Sequence, residues 1–323
     1  MSCQRRSCNM LRRGSLTVLA VIILYWAAFA GPQLVRLMAL YHRGNDDYHI
    51  LTEAHLKVAK NKKPRREVPR ILHRMWKNAD FDTMPEAWVD AYSRCKTLHP
   101  DWEVVLWTDQ SLREFIKDNY SWFLADFDSY KYPIQRVDSA RYFVLYHFGG
   151  VYMDLDIGCI KNIDPLQTAV GQKGAMFPLT NPIGWSNDLM MSSVKHPFFR
   201  NLIHSLHSAN QWYGSNYPTV LFSTGPAFVS LQYFTLSKVG QSQVFTLTPS
   251  LYSADNKVRF FYHMHGSTWH GTDAAYIMWF WQQQSMIQSF LSIQIACFIF
   301  MVCIMVKLRR RSMRRQQRSR RDQ

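Results

Sequence analysis

Apolar and polar positions along the middle of the chain follow two rhythms. Short apolar runs of strand length occur at Ile71-Leu72-His73-Arg74-Met75-Trp76 and Glu103-Val104-Val105-Leu106-Trp107, the latter expected as a buried strand. Helical spacing marks the stretches that follow them. Pro85 opens a helix ending near His99-Pro100, and Asp109 caps a second one through about Lys117. A third spans about 133–147, with Val137, Tyr142, Val144, Leu145 and Phe148 recurring along it, and Gly149-Gly150 ends it. Val151-Tyr152-Met153 is then a short strand. Beyond residue 165 the pattern loosens: strands are expected at 174–178, 244–247 and 258–264, and helices at 197–209 and 227–238. Strand and helix alternating with short links predict an α/β layered sheet, mostly parallel.

At both ends the rhythm gives way to uncharged runs. Gly14 to Val35 carries no charge, and Ser285 to Val306 is a second such run of 22 residues. A spanning helix needs ~20 mostly apolar residues. Arg12 and Arg13 precede the first run, and Lys307 with eight arginines follows the second. Positive flanks face the cytosol, so both termini are expected there and the middle on the opposite side. The alternative for the first run is a cleaved signal peptide, with Ala28-Phe29-Ala30 as its small-residue site. The organisation is then a basic cytosolic tail (1–13), a signal anchor (14–36), a polar stalk (37–69), a folded domain (70–275), a second transmembrane helix (285–306) and a basic cytosolic tail (307–323).

Charge changes the picture only through its location. The formal net charge is +15, but the two tails carry +4 and +8 of it. A nucleic-acid binder needs that charge on a folded face, so nucleic acid is excluded as a partner. With 47% hydrophobic residues the chain has ample apolar surface for a core, which excludes disorder. Of six cysteines, Cys3 and Cys8 fall in the first tail, where palmitoylation is conceivable, and Cys297 and Cys303 in the second span. Cys95 and Cys159 remain, allowing at most one disulfide on the non-cytosolic side. Asn119-Tyr120-Ser121 is a glycosylation sequon, usable only on that same side.

Candidate chemistry gathers at two places. In Gly149-Gly150-Val151-Tyr152-Met153-Asp154-Leu155-Asp156, an extended chain would put Asp154 and Asp156 on one side. Two such carboxylates repel unless a cation lies between them, and Mg²⁺ or Mn²⁺ takes oxygen ligands of this kind. A strand's carboxyl end in an open α/β sheet is where ligands bind. Such a metal serves a nucleotide diphosphate by neutralising its leaving group. A phosphatase reading, with the first Asp as nucleophile, needs a later acidic pair that is not evident beside Lys173 or Lys195. Asp138 and Arg141, three apart on one helical face, are either a surface ion pair or a contact to sugar hydroxyls and phosphate. The second place is Tyr262-His263-Met264-His265-Gly266-Ser267-Thr268-Trp269-His270, where His263 or His265 could complete the metal's shell. Trp269 either lines a sugar face or fills the core.

From Arg70 to Asp273 these motifs resemble glycosyltransferase family 32, of the GT-A fold. Arg70-Ile71-Leu72-His73-Arg74-Met75-Trp76-Lys77 is similar to its opening strand, Leu106-Trp107-Thr108-Asp109 to its second, and Asp138-Ser139-Ala140-Arg141 to its Asp-x-x-Arg helix. The Gly-Gly-x-Tyr-x-Asp-x-Asp block and Ser267-Thr268-Trp269 complete the set. Within the family, the chain looks most like the fungal mannosyl inositol phosphorylceramide synthase catalytic subunits. The resemblance implies a GT-A type, Rossmann-like nucleotide-sugar-binding domain with GDP-mannose as donor and inositol phosphorylceramide as acceptor. It further implies Mn²⁺ (or Mg²⁺) as metal, retention at the anomeric carbon, a Golgi membrane address with the domain lumenal, and a regulatory membrane subunit as partner. Carried over residue by residue, Asp154 and Asp156 hold metal and diphosphate, with His263 or His265 as the late ligand. Asp138 and Arg141 hold the donor sugar, with Tyr152 beside it. Trp76 stacks on or near the base, and Ser267 and Trp269 close over the diphosphate. A glycosyltransferase extending protein-linked glycans, and a non-catalytic membrane scaffold that keeps the fold, are the rival expectations.

Overall fold

The computed structural model describes residues 24, 35, 48–60, 68–171, 174–180, 184–255, 257–264, 266 and 271–283. Apart from residues 24 and 35, both expected spans lie outside these, as do the two tails, most of the stalk, and His265, Ser267 and Trp269. Among the described residues no helix is long and apolar enough to cross a membrane.

In chain order, the elements begin with strand β1 (His49–Leu51) and helix α1 (Glu53–Lys60). Next come β2 (Ile71–Met75), α2 (Glu86–Leu98), β3 (Glu103–Trp107), α3 (Asp109–Asn119), α4 (Leu124–Ser129) and α5 (Pro133–Phe148). The chain continues through β4 (Gly150–Met153), β5 (Ile157–Cys159), α6 (Asp164–Val170), β6 (Ala175–Pro178), β7 (Leu189–Ser192) and α7 (Pro197–Ala209). It then runs α8 (Asn216–Ser223), α9 (Pro226–Tyr233), α10 (Lys238–Gln241), β8 (Val244–Leu247), α11 (Pro249–Tyr252) and β9 (Phe261–His263). A second compact unit begins at His270, and α12 (Thr272–Gln282) is its described helix.

The main sheet has the order β1-β8-β6-β7-β4-β2-β3. β7 alone runs against its neighbours, pairing antiparallel with β4 and β6. Every other pairing in the sheet is parallel. The carboxyl ends of β2, β3, β4, β6 and β8 therefore share one edge with the amino end of β7. Alternating side chains bury both faces: on β4, Tyr152 enters one cluster with Phe143, Leu145 and Phe177, while Val151 and Met153 enter the other with Leu72 and Leu166. The architecture is thus α/β with a mixed sheet, as the alternation of elements predicts.

Several expectations change in detail. β3 is the sheet's edge and only half-buried, so it is not the buried strand expected. Its apolar run reflects contact on one side with β2. Thr108, not Asp109, caps α3: its side chain accepts from the Ser111 amide while the Ser111 hydroxyl accepts from the Thr108 amide. The stretch read as stalk holds β1, which pairs with β8, and α1, whose Leu56 joins the core. The fold therefore begins before Arg70. The helix expected over 227–238 breaks at Tyr233, and the final strand is shorter than 258–264. β7, the β5 strand and the helices α4, α6 and α8 had no expectation.

A two-stranded ribbon, β5 against β9, stands outside the main sheet. A disulfide between Cys95 on α2 and Cys159 on β5 ties it to the domain. The Arg94 Nε adds a hydrogen bond to the Cys159 carbonyl at 2.9 Å.

Candidate active site

α5 ends at Gly149, whose φ of +65° places the chain in a region that costs other residues dearly. The turn feeds β4, and β4 stops at Met153. Asp154, Leu155 and Asp156 then form a turn, closed by the Ile157 amide donating to the Asp154 carbonyl at 3.0 Å. The extended geometry expected for Asp-x-Asp is therefore replaced by a tight reversal into β5. Asp154 turns toward α5 and Asp156 toward β9.

Arg74 holds this turn from behind. It is fully buried on β2, and its Nη1 donates to the carbonyls of Asp154 (2.5 Å), Ile157 (3.0 Å) and Met153 (3.4 Å). Burial lowers its pKa to about 10, with Tyr152, Asp154 and Asp156 pulling the other way, so it stays charged at neutral pH.

Asp154 is gripped by two groups. Tyr152 donates its hydroxyl to Asp154 Oδ1, and Arg141 Nη1 lies 3.4 Å from the same oxygen. Burial pushes the carboxyl up to about 7; Arg141 opposes this, while Asp156 and Asp188 add to it. Arg141 also pairs with Asp138 at 3.0 Å, donates to the Asn187 carbonyl at 2.6 Å, and sits over the Tyr152 ring at 4.5 Å. Asp138 accepts from Asn187 Nδ2 and the Thr224 hydroxyl, each at 3.1 Å. Burial raises its pKa to about 6 despite Arg141. Asp138 and Arg141 are thus not a surface pair. They form a buried platform under Asp154, from which Tyr152 steers the carboxylate.

Asp156 meets the ribbon. Register pairs Ile157 with His263, and His263 Nε2 lies 3.4 Å from Asp156 Oδ2. That hydrogen bond raises the His263 pKa against the effect of burial, and Asp188 reinforces it. The Met264 amide donates to the Asp156 carbonyl at 2.8 Å. Gly266 lies so close that a methyl there would overlap Asp156 Oδ2. Gly266→Ala should therefore displace the Asp156 carboxylate, lowering turnover about 100-fold with little change in thermal unfolding. Transfer assays and calorimetry on the same preparation check this.

Trp76 sits half-buried just past β2 at the same edge, its Nε1 donating to Thr83 Oγ1 at 2.9 Å and its ring edge-on to Trp88. Asp188, just before β7, is the residue sequence reasoning missed. Its carbonyl accepts from the Asp154 amide at 2.8 Å, and its Oδ2 accepts from the Tyr252 hydroxyl at 2.9 Å. Only the pairing of β7 with β4 brings it to the turn. Ser267, Trp269 and His265 lie outside the described residues.

The donor set fits a divalent cation. Asp156 Oδ1 and Asp188 Oδ1 are buried and, among the described residues, accept no hydrogen bond. Hard oxygens of this kind, with one imidazole beside them, suit Mg²⁺ or Mn²⁺. Among the described residues no three His, Cys, Asp or Glu side chains close on one ion position, so substrate oxygens or water would complete the shell.

Residues 85–171 match the family model described as the glycosyltransferase sugar-binding region containing the DXD motif. The chain is 41% identical over 251 residues to inositol phosphoceramide mannosyltransferase 1 of Schizosaccharomyces pombe, covering 77% of this chain and 76% of that one. It is 42% identical over 212 residues to mannosyl phosphorylinositol ceramide synthase SUR1 of Saccharomyces cerevisiae, covering 64% of this chain and 53% of that one. Among solved structures, the PaToxG glycosyltransferase is similar at 15% identity, covering 57% of this chain and 74% of that one, with a TM-score of 0.40. Families of the DXD type use a divalent metal. The chain belongs to the glycosyltransferases whose sugar-binding region carries the DXD motif, in the group that includes the inositol phosphoceramide mannosyltransferases.

Proposed function

We propose that this glycosyltransferase moves mannose from GDP-mannose to inositol phosphorylceramide, forming mannosyl inositol phosphorylceramide on the lumenal side of a Golgi membrane. The observation that carries the reading is the 41% identity, across 77% of the chain, to a protein named for that acceptor and that sugar. The site supplies the chemistry. Asp156 and His263, with Asp154 beside them, would hold Mn²⁺ or Mg²⁺, which when bound neutralises charge on the departing diphosphate. Arg141, Asp138 and Tyr152 fix Asp154, and Trp76 borders the base side of the edge. The donor sugar then lies above the Asp154 turn. Ser267 and Trp269 would close over the diphosphate, and His265 is the other candidate for the late ligand.

Membrane attachment fits an amphiphilic acceptor, whose head group is presented at the bilayer surface. The segments 14–36 and 285–306 are proposed as the two anchors, with cytosolic tails and a regulatory membrane subunit as partner. The Cys95–Cys159 disulfide supports a non-cytosolic domain, because such bonds persist in oxidising compartments.

The test is an assay on membranes carrying the full chain, offering GDP-mannose or UDP-hexoses with labelled inositol phosphorylceramide. Mannosylated lipid that appears only with GDP-mannose, and disappears with EDTA, is expected. Label reaching glycoprotein but not lipid would replace this reading with glycan extension. No transfer at all, with normal expression, would point to a scaffold.

A further inference from the structure

The charges around the turn do not balance. Among the described residues, Asp138, Asp154, Asp156 and Asp188 face two guanidinium groups, Arg74 and Arg141, and one imidazole, His263. Asp138 is fully engaged with Arg141, Asn187 and Thr224, and Asp154 with Arg141 and Tyr152. Asp156 and Asp188 each keep one buried oxygen that accepts nothing from the described residues. Leaving charged acceptors desolvated and unpaired is costly, and two of like sign in one space are costlier still. The Asp188 oxygen is also aimed. Tyr252, at the end of α11, holds the other carboxylate oxygen, and its ring centre lies 6.4 Å from that of His263. Asp188 therefore looks into the space that Asp156 and His263 border from the ribbon side.

We propose that Asp188 is a third acidic member of the cation site, acting from β7 through a bound water on the ion held by Asp156 and His263. This rests on the metal-dependent reading above. A water between them follows from the geometry, since no three side chains among the described residues close directly on one ion position. Mg²⁺ and Mn²⁺ retain waters readily, and carboxylates that bond those waters tune affinity strongly. Tyr252 is then a positioning residue: it locks the carboxylate so that the free oxygen faces the ion.

The experiment is Mn²⁺ titration of the purified full chain in detergent, followed by electron paramagnetic resonance, with Mn²⁺ alone and then with GDP. The variants are Asp188→Asn, Tyr252→Phe and, as reference, Asp156→Asn. Asp188→Asn should weaken Mn²⁺ binding about 10- to 100-fold. Tyr252→Phe should weaken it by a smaller factor in the same direction, and carries the test if Asp188→Asn fails to fold. Wild-type Mn²⁺ affinity in the folded variant overturns the proposal, including when its KM for the donor rises, because that would assign Asp188 to a sugar hydroxyl. A wild-type chain that binds no Mn²⁺ under either condition overturns the metal reading itself, a result distinct from the failure of Asp188 alone.

Discussion

Asp156→Ala should abolish transfer, with turnover down at least about 1,000-fold, while the protein folds normally. The carboxylate contributes little to the fold. Among the described residues its side chain makes one hydrogen bond, at 3.4 Å to His263, and its second oxygen has no partner. Its backbone contact with Met264 survives the substitution. Removing it also relieves repulsion with Asp154 and Asp188, each of whose pKa it helps raise. Its loss is felt in chemistry, because a divalent ion stabilising a leaving diphosphate is worth several kcal/mol in the transition state, and ~4 kcal/mol is about a thousandfold in rate. Transfer to the labelled acceptor, read beside an unfolding midpoint within a few degrees of wild type, is the check. Undiminished product would remove the turn from the active site. A collapsed midpoint would mean that Asp156 is structural.

The contrast between Asp156 and Asp188 shows what the sequence makes legible. Asp154 and Asp156 were visible because a helix, a Gly-Gly stop and an apolar strand lead directly into them, all within local reach. The helical platform was visible too: Asp138 and Arg141 repeat at three residues. Its burial was not, because Asn187 and Thr224, which seal it, come from distant loops. Asp188 stands before Leu189-Met190-Met191-Ser192, a run buried on both faces that lacks the alternation of a half-exposed strand. Nothing local distinguishes it from a loop. Its role appears only when β7, the one reversed strand, lays its amino end beside the carboxyl end of β4. The Asp-x-Asp geometry was misjudged for a related reason. Extended alternation presumes that β4 continues, but Arg74 captures three carbonyls at this point and bends the chain into a turn. β1 was hidden in a polar stretch because three residues on a sheet edge need little apolar content of their own.

Arg141→Met should cost both folding and activity, and its stability deficit should depend on pH. Arg141 is almost wholly buried and touches two carboxylates and one carbonyl. Methionine fills much of the volume but leaves the buried Asp138 without a counter-charge, a change worth about 3–5 kcal/mol, and takes the same partner from the partly exposed Asp154. Burial already holds Asp138 at about 6 and Asp154 at about 7 with the guanidinium present, so its removal moves both further upward. A carboxyl whose folded pKa exceeds its unfolded value contributes stability below the unfolded value and loses it as pH rises through the folded one. The deficit relative to wild type should therefore be smaller near pH 5, where both groups take up protons, and largest near pH 8. Urea unfolding of the two proteins at these pH values reads the difference directly. Transfer should fall at least about 1,000-fold at neutral pH, because Asp154 loses the partner that fixes it and gains a proton that weakens its hold on a cation. An equal deficit at both pH values would assign Arg141 to packing alone. A variant as active as wild type would free the platform from any part in placing the Asp-x-Asp turn.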